Sequence, residues 1–282
     1  MSVHAKEVTE GERFEFGENW GRFLRILSEE RIKVAEDSLK EKLEVEDLAG
    51  KSFLDIGSGS GLFSLAARRL GAQVYSFDYD PHSVACTRQL KGWYFPNDDN
   101  WKIEEGSALD AEYLKSVGEF DVVYSWGVLH HTGALWKALE NAQLPVAPRG
   151  KLFISVYNDQ GSKSALWKRI KRVYNRLPQR LKLPFALLVM GPREIAFGLR
   201  HLAKLQPQRF IQSWMQYNKK RGMSRWHDII DWVGGYPFEV AKPEEIFYFY
   251  RDKGFSLEKL KTCGGGLGCN EFVFKKEANP QR

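Results

Sequence analysis

The chain moves between two hydrophobic rhythms, and their order is its first informative feature. Residues 20–48, "WGRFLRILSEERIKVAEDSLKEKLEVEDL", place Phe23, Leu24, Leu27, Ile32, Ala35, Leu39 and Leu43 at helical intervals with charges between them, which predicts an N-terminal helical segment. "KSFLDIG" is then a short apolar run ending in glycine, "GLFSLAARRLG" returns to a helical pattern closed by Gly71, and "AQVYSFDYD" reads as a second strand. Strand, helix and strand in about 30 residues predict a βαβ unit with parallel strands and a right-handed crossover. The alternation continues with a helix at "PHSVACTRQLKGWY", strands at "WKIEEGSA" and "FDVVYSWG", a helix at "GALWKALENAQLPV" and a strand at "GKLFISVYN". After a long departure it resumes with a helix at "KPEEIFYFYRDKG" and two strands, "SLEKLKT" and "NEFVFKK".

This order divides the chain into an N-terminal helical segment at 1–49, an α/β core at 50–160 and 240–276, and a helical insertion at 161–239. Charge sharpens the division. Between Gly161 and Trp226 there are sixteen Lys or Arg and a single acid, Glu194, so a chain of net charge +6 concentrates its basicity in one segment. The insertion therefore predicts a cap over a small-molecule site, with two further readings behind it. "LPFALLVMGPREIAFGLRHLAKL", residues 183–205, combines apolar runs with flanking cations and suits peripheral contact with a membrane surface. "WKRIKRVYNRLPQRLK" and "NKKRGMSRW" interleave cations with aromatics and suit nucleic acid, which ranks lower.

Composition adds exclusions. The polar N-terminus is unlike a secretory signal and no apolar run reaches bilayer length, so the expected location is cytoplasmic, with membrane-peripheral contact as an option. Cys86, Cys263 and Cys269 are odd in number and lack CxxC spacing, which argues against a disulfide framework or zinc site, and no metal is implied. Nothing in the pattern fixes an oligomeric state.

The candidate chemistry begins at "LDIGSGSG", residues 54–61. It occupies the first βα turn, where a doubly wound sheet binds its ligand. A dinucleotide fingerprint would read GxGxxG, and a phosphate loop would carry Lys followed by Ser or Thr. Here the spacing is GxGxG, followed by Leu62 and Phe63, and Asp55 would oppose an anion. The ligand expected is one without phosphates that carries positive charge.

These residues resemble the first motif of the class I S-adenosylmethionine-dependent methyltransferases, and the resemblance covers roughly residues 50–156 and 243–275. It implies an α/β, Rossmann-like doubly wound sheet of seven strands in the order 3-2-1-4-5-7-6, strand 7 antiparallel. It further implies S-adenosylmethionine as cofactor, held by Asp55, Gly57, Ser58, Gly59 and Gly61. Asp78 would take both ribose hydroxyls, with Asp80 as second choice and Tyr79 beside it. Ser107 and Ala108 in "EEGSALD" would lie near the adenine, Trp126-Gly127 at the cofactor end of the fourth strand, and Trp20 over the adenosyl group, with Asn19 and Phe16 nearby. The chain is most similar to the bacterial small-molecule branch related to ubiquinone-biosynthesis O-methyltransferases, by this loop and "GVLHHT".

Candidates for the chemistry follow the fourth strand. His130 and His131 are titratable near neutral pH, and His131 is preferred as base because His130 continues the apolar "GVL" run. A second cluster, "RGMSRWHDIIDWVGGYPFE", gathers His227, Asp228, Asp231, Trp232, Tyr236 and Glu239 in thirteen residues. His227 and Asp228 are taken as catalytic candidates, and His130, Tyr157, Trp232 and Tyr236 as substrate contacts, aromatic faces suiting a ring or sugar. The activity expected is methyl transfer to a small-molecule acceptor, oxygen before nitrogen and phenolic, sugar or lipid-linked in kind. An RNA-binding or RNA-modifying protein on the same scaffold is the alternative.

Overall fold

The computed structural model describes residues 3–206, 208–209, 212 and 225–278, apart from the side chains of residues 225–228 and 231. Its centre is one seven-stranded sheet: β1 (Ser52–Ile56), β2 (Gln73–Asp78), β3 (Trp101–Glu105), β4 (Phe120–Ser125), β5 (Val146–Tyr157), β6 (Phe255–Lys261) and β7 (Cys269–Lys276). The order is β3-β2-β1-β4-β5-β7-β6. The first five strands are parallel, and β7 runs antiparallel to both β5 and β6. This is the topology expected from the sequence.

The parallel strands are apolar on both faces because helices cover both. Along β1, Leu54 and Ile56 belong to one core and Phe53 to the other. Helices α4 (Leu62–Arg69), α5 (Pro81–Tyr94) and α3 (Glu29–Leu43) cover the second face, and α7 (Leu135–Ala142) and α11 (Pro243–Arg251) the first. Short α6 (Ala111–Ser116), absent from the sequence reading, is held by Asp110, whose carboxylate accepts from Glu112 and Tyr113 N–H.

The N-terminal segment differs in detail from the single run expected. It consists of α1 (Val3–Thr9), α2 (Phe16–Leu24) and α3, with the break at Ser28, whose hydroxyl accepts the Arg31 N–H and caps α3. Within the insertion lie α8 (Ser162–Arg176), α9 (Gln179–Ala203) and α10 (Arg225–Gly234). Tyr174, Ala186, Met190, Ile229 and Val233 from these helices close a third apolar core, to which the N-terminal segment contributes Phe14. Insertion and N-terminus thus meet above the carboxyl ends of the strands.

Candidate functional site

The turn after β1 is fixed before any ligand arrives. Gly57 and Ser58 donate their N–H groups to the Phe77 carbonyl at 2.9 and 3.0 Å, and Gly59 N–H donates to Asp78 Oδ2 at 2.9 Å. Ser58 and Thr87 hydroxyls lie 3.0 Å apart, tying the loop to α5. Two glycines are required sterically. At Gly57, φ is +80° and a Cβ would lie 2.4 Å from Val128; at Gly59, φ is +55° and a Cβ would lie 3.0 Å from the Trp20 indole.

Two carboxylates flank this turn. Asp55 is 2% exposed and accepts the Ser64 hydroxyl at 2.5 Å, at the end of a buried chain in which Trp101 Nε1–H donates to Ser76 and Ser76 to Ser64. Burial pushes Asp55 up to about 7, opposed by the Ser64 bond and reinforced by the Asp78 charge. Asp78 is pushed up to about 6 by burial, against the Asp80 and Gly59 N–H groups that stabilise its charge. Both are costly anions with no cation among the described residues bonded to them, and they fit a ligand that brings positive charge and hydroxyl donors. Asp80 is committed elsewhere: it accepts from His82 N–H, capping α5, and from Gly17 N–H, both at 2.9 Å. Tyr79 is packed edge-on against His4 and lies 4.9 Å beneath the Arg13 guanidinium.

The remaining cofactor candidates divide. Ser107 and Ala108 form the loop after β3, closed by Leu109 N–H on the Ser107 hydroxyl and Asn141 Nδ2 on the Ala108 carbonyl. Gly127, at the end of β4, donates to Ser155 Oγ at 2.8 Å and faces open space. Trp126 turns its indole the other way, 3.4 Å from Glu271 on β7, because strand alternation sends it to the face opposite Ser125.

His130 and His131 lie on a 3-10 turn, Leu129–His131, directly after Val128. His131 Nδ1 is 2.6 Å from the Pro237 carbonyl. A carbonyl has no proton to give, so Nδ1 carries the hydrogen and Nε2 the lone pair. Burial lowers the His131 pKa to about 3, with the Lys171 and Arg13 charges adding to the effect and the Pro237 bond opposing it. His130 is fully buried 4.0 Å from the Tyr157 ring, and burial holds it well below the usual histidine range.

Around these rings the structure brings together Phe16, Tyr157 and, beyond Tyr157, Trp232 and Phe238. Lys171, fully buried, donates to the Trp232 carbonyl and sits 4.9 Å over both the Trp232 and Phe238 rings. Tyr236 stands apart, its hydroxyl accepting from Arg172 Nε and its carbonyl from Phe14 N–H. Glu239 is a structural cap, accepting Leu135 N–H at the start of α7. His227, Asp228 and Asp231 fall on α10, but their side chains lie outside the described residues.

The N-terminal segment joins the two halves. On α2, Trp20 rests on Gly59 and Phe16 packs 4.9 Å from the His131 ring, one helical turn apart. Arg13, which the sequence did not single out, donates to the His131 carbonyl and to Glu7. Asn19 is buried and accepts from Arg22.

A sheet of this order, with a glycine-rich first turn, an acid ending β2 and no phosphate-binding lysine, defines a class I methyltransferase. The sequence model described as a methyltransferase domain matches residues 22–217, most of the chain. The chain therefore belongs to the class I S-adenosylmethionine-dependent methyltransferase family. Among curated proteins it is similar to the ubiquinone biosynthesis O-methyltransferase of Xanthomonas oryzae pv. oryzae (strain PXO99A), 35% identical over 112 residues, which are 40% of this chain and 45% of the relative. The chain thus spans less than half the length of that relative. Solved structures similar in fold include an O-methyltransferase family protein from Burkholderia thailandensis, with TM-score 0.51, 14% identity, and coverage of 88% of this chain and 57% of that one. Magnesium protoporphyrin IX methyltransferase from Synechocystis PCC 6803 with bound SAH gives 0.52 at 12% identity, covering 87% and 83%.

Proposed function

We propose that this protein transfers the methyl group of S-adenosylmethionine to a hydroxyl oxygen of a small-molecule acceptor. The observation that carries the reading is the reach of α2: Trp20 touches the glycine loop and Phe16 touches His131, so a neutral imidazole of fixed tautomer stands beside the cofactor turn. The similarity to ubiquinone biosynthesis O-methyltransferase supports a small acceptor and oxygen as the atom methylated.

When bound, S-adenosylmethionine supplies a methyl group activated on a sulfonium. In this reading the backbone of Gly57, Ser58, Gly59 and Gly61 receives its methionine part, and Asp78 accepts the ribose hydroxyls. Ser107, Ala108 and Tyr79 border the adenine, Trp20 covers the adenosyl group, and Gly127 leaves room at the end of β4. Asp55 supports the turn from below through Ser64. Tyr157, Trp232 and His130 form the aromatic wall on the acceptor side, and Tyr236 fixes the cap to the N-terminal segment. His227 and Asp228 stay as acceptor-side candidates on α10.

His131 Nε2 orients the acceptor hydroxyl by accepting its hydrogen bond. As the bound cofactor's methyl group moved to that oxygen, His131 Nε2 would take up the hydroxyl proton. An oxygen that is being alkylated is far more acidic than an imidazolium, so a ring with a pKa of about 3 is basic enough to take that proton. The test is incubation with methyl-labelled S-adenosylmethionine and a panel of phenolic, sugar and lipid-linked alcohols. Label recovered as a methyl ether supports the reading; label found only in amine or carbon products overturns the oxygen assignment.

A further inference from the structure

Helix α9 presents apolar side chains on two opposite sides. Ala186 and Met190 face inward and are buried. Leu181, Leu188, Ile195 and Leu202, spaced by seven, form a stripe on the other side with Leu199, and all are exposed, from 45% at Leu181 to 73% at Leu188. At 1.5 Å per residue the stripe runs for about 32 Å, longer than the isolated apolar contacts a soluble surface usually shows. Nothing among the described residues packs over it.

The charges around the stripe identify what covers it. From Ser162 to Ala203, helices α8 and α9 carry ten Lys or Arg and one acid, Glu194. On α9 itself Arg193 and Arg200 are exposed, on the side of the helix nearer to Ala186 and Met190 than to the stripe, and Lys182 lies 5.6 Å over the Tyr174 ring of α8, so these cations contribute to a positive field around the stripe and do not line it. A second copy of the chain would set this same positive field against itself. Nucleic acid would find phosphate partners but aliphatic side chains where stacking surfaces are needed. An anionic lipid surface satisfies both features, anionic headgroups for the positive field and acyl chain for the stripe. The helix would lie along that surface, since no helix among the described residues is long and apolar enough to cross a membrane, and Pro184, Pro192 and the Arg193-Glu194 pair interrupt this one.

We infer that the outward face of α9 docks on the surface of an anionic bilayer, with Leu181, Leu188, Ile195, Leu199 and Leu202 entering the acyl boundary. The inference is independent of the acceptor and of the methyl-transfer reading. It is tested by co-sedimentation of the whole chain with vesicles of mixed phosphatidylglycerol and phosphatidylcholine, and of phosphatidylcholine alone. The expected result is binding to the anionic vesicles that falls about tenfold or more on neutral ones, and falls by a similar factor in Leu188→Glu with Ile195→Glu and in Arg193→Glu with Arg200→Glu. Because all four positions are exposed, both variants should keep the wild-type unfolding transition, which checks that the loss is not misfolding. Failure of the wild type to sediment with anionic vesicles overturns the inference. So does binding that the apolar variant leaves unchanged. A concentration-dependent dimer in sedimentation velocity that the apolar variant abolishes would assign the stripe to a second copy instead, and likewise overturns it.

Discussion

Gly59 donates its backbone N–H to Asp78 Oδ2 at 2.9 Å, so the tip of the glycine loop and the end of β2 are one unit. Replacing Asp78 by Ala removes both the proposed ribose acceptor and the anchor of the loop. Hydrogen bonds to a charged group contribute about 1.5–3 kcal/mol each, so Asp78→Ala should weaken S-adenosylmethionine binding on the order of a hundredfold. Calorimetric titration measures this directly, and equal affinity in the variant would remove Asp78 from the cofactor site.

Burial also makes that carboxylate a proton-linked one. Burial raises Asp78 to about 6, and the proposed bonds from the ribose hydroxyls need its anionic form. Affinity for S-adenosylmethionine should therefore be constant above pH 7 and fall roughly tenfold per pH unit well below 6. S-adenosylhomocysteine, which keeps the ribose, should follow the same curve. Binding isotherms between pH 5 and 8 decide the matter, and a flat profile would contradict it.

Gly57 meets Val128 across the site, the first turn against the end of β4. Gly57→Ala forces a methyl into contact at 2.4 Å and a side chain into a left-handed backbone, which should destabilise the protein by about 2–4 kcal/mol. Adding Val128→Ala removes the contacts at 2.4 and 2.5 Å but leaves Cβ at 3.0 Å and the backbone strain. The double variant should recover part of the loss in denaturant unfolding, as expected for residues in contact. Additive losses would show that the two do not press on each other.

His131 should affect chemistry and stability differently. In His131→Asn, kcat should fall by about 10²–10⁴ while cofactor affinity is nearly unchanged. The stability effect has a definite sign. The folded pKa of about 3 lies below the unfolded 6.5, so the unfolded chain takes up the proton first. Stability from the neutral ring is present above pH 6.5 and is lost as pH falls toward 3. Asp55 and Asp78 act oppositely, since their folded pKa values are raised. Comparison with the variant cancels them. From pH 7 to pH 5 the wild type should lose about 2 kcal/mol more than His131→Asn, measured by urea unfolding.

What the sequence revealed depended on how local each feature was. The glycine turn and the acid that ends β2 are legible because one βαβ unit contains both, the alternation of elements marks the parallel core, and the family resemblance implies the strand order. The break at Ser28 is legible as an N-cap followed by two glutamates and as the five-residue step from Leu27 to Ile32, signals that the helical spacing on either side outweighs. Trp126 reads as a cofactor neighbour by position alone, while pleating turns it toward Glu271. The His131–Pro237 bond joins residues 106 apart, and no local pattern encodes it. Lys171 had no signal either: one buried cation among many exposed ones looks like part of a solvated face.

The contacts of His131 have a further consequence. Phe16 and Pro237, which hold its ring, and Arg13, which holds its backbone, all lie outside residues 22–217, the span shared with the family. Three of the groups that hold this imidazole thus come from the two flanks of the chain that the matched span leaves out, joined by His130 and Tyr157 from within it, and Trp20 on the glycine turn belongs to a flank as well. Change at Arg13, Phe16 or Pro237 can therefore re-aim this imidazole without altering the glycine turn or the end of β2.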